Sequence, residues 1–163
     1  MCDIATLVGR LKDIRWVWSV SGMAPVFVAL SATHVETVPG RWTYIIASGP
    51  KLSVYTEDDR IEFLEITMDV FLNPHRLQPG EYEQKVEEYF SKYEKAVASA
   101  EQILGPPAFD DGWGSEGFPE DQEAVCLAQW NLLNARLMIQ QKHEDKELPF
   151  RLCVVITPPV SLA

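Results

Sequence analysis

The run RIEFLEITMDVFLNPHRLQPGEYEQKVEEYFSKYEKAVASAEQILGPP, residues 60 to 107, changes its hydrophobic period partway along and so decides the fold. In its first part Leu64, Ile66, Met68 and Val70 alternate with Glu65, Thr67 and Asp69. Alternation in twos marks a half-buried strand, here with one wet, acidic face. Asn73-Pro74 and Pro79-Gly80 then punctuate a loop. Over residues 81–104 the period lengthens: Tyr82, Val86, Tyr89, Tyr93, Val97, Ala100 and Leu104 are separated by steps of three and four. That spacing lines them along one face of a helix, with glutamates and lysines on the others. Gly105-Pro106-Pro107 ends it.

Upstream, KLSVYT (residues 51–56) joins the strand through the acidic turn Glu57-Asp58-Asp59. Residues 34–38 and 42–48 read as strands around the Pro39-Gly40 turn. Ile4, Leu7, Leu11 and Ile14 predict a short amphipathic helix over 3–14, and Ser21 is placed to cap a second that tolerates Pro25 in its first turns. Downstream, residues 105–123 read as a long irregular segment, followed by strands over 124–130, 135–143 and 149–157. The last two form a hairpin around the polar turn His143-Glu144-Asp145-Lys146. Phe150, Leu152, Val154 and Ile156 share one face of the final strand, and the apolar Cys153 and Val155 on the other make it a central one. Strands that follow one another through short turns pair antiparallel. The expectation is a single α+β domain over 1–163: an antiparallel sheet with the 81–104 helix and the short N-terminal helices packed on it.

Composition bounds what such a domain does. A chain of 163 residues buries roughly 70% of its unfolded surface and needs no disulfide or metal staple. Hydrophobic residues at 47% and charged residues at 23% are globular values. Twenty-four acids against 14 Lys+Arg give a net charge of −10, which opposes binding to nucleic acid or an anionic membrane and attracts a basic protein. Solubility alone is the plainer use of that charge. The three cysteines, Cys2, Cys126 and Cys153, are a poor disulfide framework and point to a reducing compartment. The opening MCDIATLVGRLKD lacks a signal-peptide pattern. The longest apolar stretch, 16–32, is interrupted by Gly22 and Pro25 and is short for a membrane span, so a cytoplasmic location is expected.

No motif calls for a cofactor, a metal or catalysis. Gly112-Trp113-Gly114-Ser115-Glu116-Gly117 matches GxGxxG, but a dinucleotide loop follows a buried strand and opens a helix, and PPAFDD before it does not read as a strand. Ser115 lacks the glycine two positions before it that a nucleophile elbow needs. His34, His75 and His143 are scattered, and the last reads as part of a solvated turn. Glu65 and Asp69 share one strand face rather than opposing each other across a cleft, as a glycosidase pair would.

What remains is the 105–123 segment. Six acids, Asp110, Asp111, Glu116, Glu120, Asp121 and Glu123, occur there with no Lys or Arg among them, interleaved with Phe109, Trp113 and Phe118. Aromatic anchors in a charged rim suit a protein interface; the alternative is that the aromatics plug the core while the acids stay wet. The first reading places a partner at Asp110, Asp111, Trp113, Glu116, Glu120 and Asp121.

The stretch DVFL…EYFSKYEKAVASAEQILGPPAFDDGWG, followed by AVCLAQWNLLNARLMIQQKHEDKELPFRLCVVITPP, resembles small bacterial immunity proteins that accompany polymorphic or contact-dependent toxins. The likeness is one of layout: strand, long helix ending in LG-P, polar loop, and a terminal set of strands. It implies binding and neutralisation of a cognate toxin domain, a basic one given the charge here; because no constellation of catalytic residues is seen, a small enzyme is the least expected class. A second resemblance, to secretion chaperones that hold an effector segment, implies another protein partner.

Overall fold

The computed structural model describes residues 3–47 and 49–160. Cys2 and residue 48, the end of the second expected strand, lie outside them. Among the described residues eight strands form one sheet: β1 Ala32–Val38, β2 Arg41–Ile46, β3 Lys51–Glu57, β4 Arg60–Phe71, β5 Phe109–Gly112, β6 Cys126–Leu132, β7 Ala135–Lys142 and β8 Phe150–Thr157. Their order across the sheet is β1-β2-β3-β4-β8-β7-β6-β5, and each neighbouring pair is antiparallel. The sheet is therefore two meanders, β1 to β4 and β5 to β8, joined where β4 pairs with β8.

Among the described residues three α-helices accompany the sheet: α1 Ile4–Lys12, α2 Ala24–Ala29 and α3 Pro79–Leu104. α1 begins where the Asp3 side chain accepts from the Thr6 amide at 2.7 Å. α3 begins on a capping box between Gln78 and Glu81, with Pro79 in its first turn, and ends on Gly105 at φ 78°. It carries the chain from β4 to the far edge of the sheet at β5, a crossing of four strand spacings, about 19 Å, which its length of roughly 39 Å spans readily.

The helices cover one face. Leu7 and Leu11 of α1, Val26 of α2, and Tyr93, Val97 and Ala100 of α3 pack into one buried cluster with Leu64, Ile66, Leu137, Val154 and Ile156 of the sheet. The stepped apolar face of 81–104 is this contact, and the central position expected for 149–157 is that of β8. Among the described residues no helix is long and apolar enough to cross a membrane.

Four expectations need correction. The acidic residues of 60–71 do not share one wet face. The register between β4 and β8 shifts between Thr67 and Asp69, which turns Asp69 to the helix face. There it accepts from Tyr89 Oη at 2.6 Å and Lys92 Nζ at 2.8 Å. Burial raises the Asp69 carboxyl, but the Lys92 and Tyr89 bonds outweigh it and hold it below its ordinary value. Glu65 stays on the opposite face and is 6% exposed, held by Lys142 at 2.9 Å and Arg151 at 2.5 Å.

Second, the chain before the glycine-rich run is a strand: Phe109–Gly112 pairs with β6 as the sheet's edge. No helix follows it, so the phosphate-loop geometry is still absent. Third, His143 is not a solvated turn residue. Its ring stacks on Phe150 at 3.9 Å, and Nε2 lies 2.6 Å from Tyr82 Oη. Fourth, Ser21 caps no helix; α2 starts after Met23, and the Ser21 and Ser19 hydroxyls lie 3.2 Å apart.

Candidate functional site

The sheet face away from the helices has its own small apolar cluster: Leu127, Met138, Cys153 and Val155, with Ala124 and the half-buried Phe63, Phe109 and Phe118. Polar side chains surround it. Alternation on β7 brings Arg136, Gln140 and Lys142 to this face, and Ser53, Glu65 and Thr157 join them from neighbouring strands. The chain from Trp113 to Val125 lies over part of this face as a strap.

The strap leaves β5 in tight turns. Gly114 and Gly117 sit at φ 82° and 84°, a region glycine enters without penalty. A Cβ on Gly117 would meet the Phe109 ring at 3.6 Å, so the turn also packs closely on the cluster. Ser115 donates through Oγ to the Gly112 carbonyl at 2.6 Å, which makes it a turn residue rather than a nucleophile. Phe118 then points back to the sheet, edge-on to Phe109 at 5.9 Å.

Two polar ties hold the rest of the strap, and a third holds β5. Arg136, nearly buried, donates to the two carboxylate oxygens of Asp121 at 3.1 and 2.5 Å and through Nε to the Pro158 carbonyl at 3.3 Å. The Arg136 hydrogen bonds and charge keep the Asp121 carboxyl below its ordinary value against the raising effect of burial. Gln140 donates to Gln122 Oε1 at 2.9 Å. At the edge, Tyr93 of α3 donates to Asp110 at 2.5 Å; burial and that carboxylate push the phenol well above its usual range.

The six residues expected to meet a partner therefore divide. Asp110 and Asp121 are exposed and also pair within the fold, with Tyr93 and Arg136. Asp111, Glu116 and Glu120 are exposed. Trp113 is 64% exposed, touching Phe118 edge-on at 5.3 Å. Phe109 and Phe118 pack against the small apolar cluster as plugs, and Trp113 does not.

Trp113 stands between two shallow hollows. One, of 240 Å³, runs over Gly114, Phe118, Pro119 and Glu120. The other, of 340 Å³, is lined by Glu123, Ala124, Val125, His143 and Glu144. Val125, 40% exposed, and Glu144 were not legible as neighbours of Trp113; the Trp113 amide donates to the Val125 carbonyl at 3.0 Å, and the β7–β8 turn brings Glu144 beside the strap. The ridge thus joins an exposed indole to the carboxylates of Glu120, Glu123 and Glu144. Among the described residues no group of three or more His, Cys, Asp or Glu side chains is placed to hold a metal ion.

No protein-family model matches the chain, and no curated protein matches it. Among solved structures, a DUF4309 family protein (YjgB) from Bacillus subtilis subsp. subtilis str. 168 is similar over 95% of this chain and 95% of its own, at 10% identity and a TM-score of 0.41.

Proposed function

We propose that this protein works by binding another protein rather than by catalysis, and that it is an immunity protein whose Trp113 ridge docks a cognate, basic toxin domain. One observation carries the reading. An indole 64% exposed stands at the crest of the strap, within a segment, 110–123, that holds six acids and no Lys or Arg. A large aromatic left in water gains most when a partner covers it, and surrounding carboxylates accelerate encounter with a basic surface. The strap's ties through Arg136 and Gln140 fix the ridge before binding, which lowers the ordering cost of association.

The test is co-expression with the toxin domain encoded beside this gene. The wild type is expected to rescue growth. Trp113→Ala is expected to lose rescue while its melting temperature stays close to wild type, because so exposed a ring contributes little packing. A neighbouring gene that encodes no toxin, failure of the wild type to rescue, or full rescue by Trp113→Ala together with Glu116→Lys overturns the reading.

A further inference from the structure

Beside the strap, the second sheet face opens into a groove of about 1090 Å³. Phe63 and Val155 form apolar floor, and Phe118, Pro119 and Pro158 are apolar wall. Two cations line it, and both are spoken for: Arg136 by Asp121 and Lys142 by Glu65. Around them stand Glu62, Glu120, Glu123 and Glu144. Glu62 and Glu144 each face one arginine outside the groove lining, Arg60 and Arg151. Glu120 and Glu123 have no ion pair among the described residues. The groove is thus apolar below and negative at the rim.

We propose that this groove takes an extended, arginine-containing segment of the protein partner. The segment's apolar side chains rest on Phe63 and Val155, and its guanidinium groups meet the carboxylate rim. Extended backbone suits the groove because alternate side chains then face opposite ways, one set to the floor and one to the rim. Arginine suits the rim because its planar fork pairs with carboxylates and its stem covers apolar surface. The same carboxylates oppose a nucleic-acid strand. The inference rests on the reading of the partner as a basic protein. The groove shares Phe118, Pro119 and Glu120 with the Trp113 ridge, so one partner covers both.

The probe is an end-blocked, fluorescein-labelled decapeptide in which arginine alternates with valine, titrated with the full chain and read by fluorescence anisotropy. A control peptide has glutamate in place of arginine. The arginine peptide is expected to bind, the glutamate peptide not to bind, and added salt to weaken the complex. Glu62→Lys with Gln129→Trp, which places a positive charge and a bulky ring in the groove and leaves the ridge intact, is expected to weaken binding at least tenfold. Glu62→Lys alone, at an exposed position, is expected to weaken it about fivefold and serves if the double variant does not fold. Trp113→Ala is expected to leave peptide affinity within twofold. Absence of binding, equal binding of the glutamate peptide, an affinity unchanged by the groove variants, or an equal loss in Trp113→Ala overturns the proposal. The growth-rescue assay judges the ridge independently, so a peptide that fails beside a rescue that depends on Trp113 removes the groove alone.

Discussion

Glu65 is the side chain on which the second sheet face most depends, and Glu65→Gln tests that. The carboxylate bridges β4 to β7 through Lys142 at 2.9 Å and to β8 through Arg151 at 2.5 Å, and Arg151 goes on to Glu144 at 2.6 Å. Gln keeps the shape and removes the charge, leaving two cations facing each other in a mostly buried site. Removing one partner of a buried pair typically costs 3–5 kcal/mol. Lys142 and Arg151 retain 14% and 23% side-chain exposure, so water recovers part of that, and about 3 kcal/mol is expected. For a domain of this size that is a fall of roughly 6–12 °C in melting temperature.

The same carboxylate predicts a pH dependence. Burial raises Glu65, but Lys142 and Arg151 outweigh it and hold its carboxyl below the usual 4.5. A depressed folded value means the unfolded chain takes up the proton first. The stabilisation is therefore present above about pH 4.5 and is lost as pH falls below that value toward the folded one. Urea unfolding followed by tryptophan fluorescence between pH 3 and pH 7 measures both effects. The wild type is expected to lose stability below about pH 4.5, and Glu65→Gln to show a shallower loss. A melting temperature for Glu65→Gln within about 1 °C of wild type at pH 7 refutes the reasoning, because it makes the site effectively solvated.

Other outcomes follow from the same geometry. Tyr93→Phe removes the donor to Asp110 and should cost about 1.5 kcal/mol in urea unfolding while speeding amide exchange in β5. Asp121→Ala leaves the nearly buried Arg136 without its carboxylate and should cost about 2 kcal/mol, with new protease cleavage in 113–125 before global unfolding. Cys126 and Cys153, both pushed by burial up to about 12, should resist a thiol reagent at pH 8 in a Cys2→Ser background until urea unfolds the chain.

The long helix and most of the strands were legible because each rests on a local period. Residues 81–104 were read as a helix, and α3 runs Pro79–Leu104; 60–72 was read through one strand, and β4 runs Arg60–Phe71. The missed features depend on distant partners or weak local signal. Nothing near Glu65 announces cations 77 and 86 positions away, and nothing in ITMDV marks the register shift that sends Asp69 to α3. FDDG is a poor strand sequence by propensity. It is a strand because β6 supplies its ladder and Tyr93 anchors Asp110 from the helix. The acid-rich segment was singled out by composition, yet composition does not separate Asp110, which ties β5 to the helix, and Asp121, which ties the strap to the sheet, from Glu116 and Glu120.

That division bears on what the second face is for. The helix face closes over leucine, isoleucine and valine, where burial of apolar surface stabilises most strongly. The strap face keeps Glu65, Arg136, Gln140 and Lys142 where apolar residues of similar volume would often be neutral or stabilising. Charges retained at such a cost hold one strap conformation, since Asp121 and Gln122 each find their partner in a single register on β7. A fixed strap keeps Trp113 at its crest and the groove beside it open. The two faces then predict separable phenotypes. Val97→Ala on the helix face should lower melting temperature by several degrees and leave affinity for the proposed partner unchanged in the folded fraction. Glu120→Lys on the strap should leave melting unchanged and slow association with the proposed partner, most of all at low salt. Equal loss of stability and binding in both variants would contradict a division of labour between the faces, and would make the strap part of one undivided core.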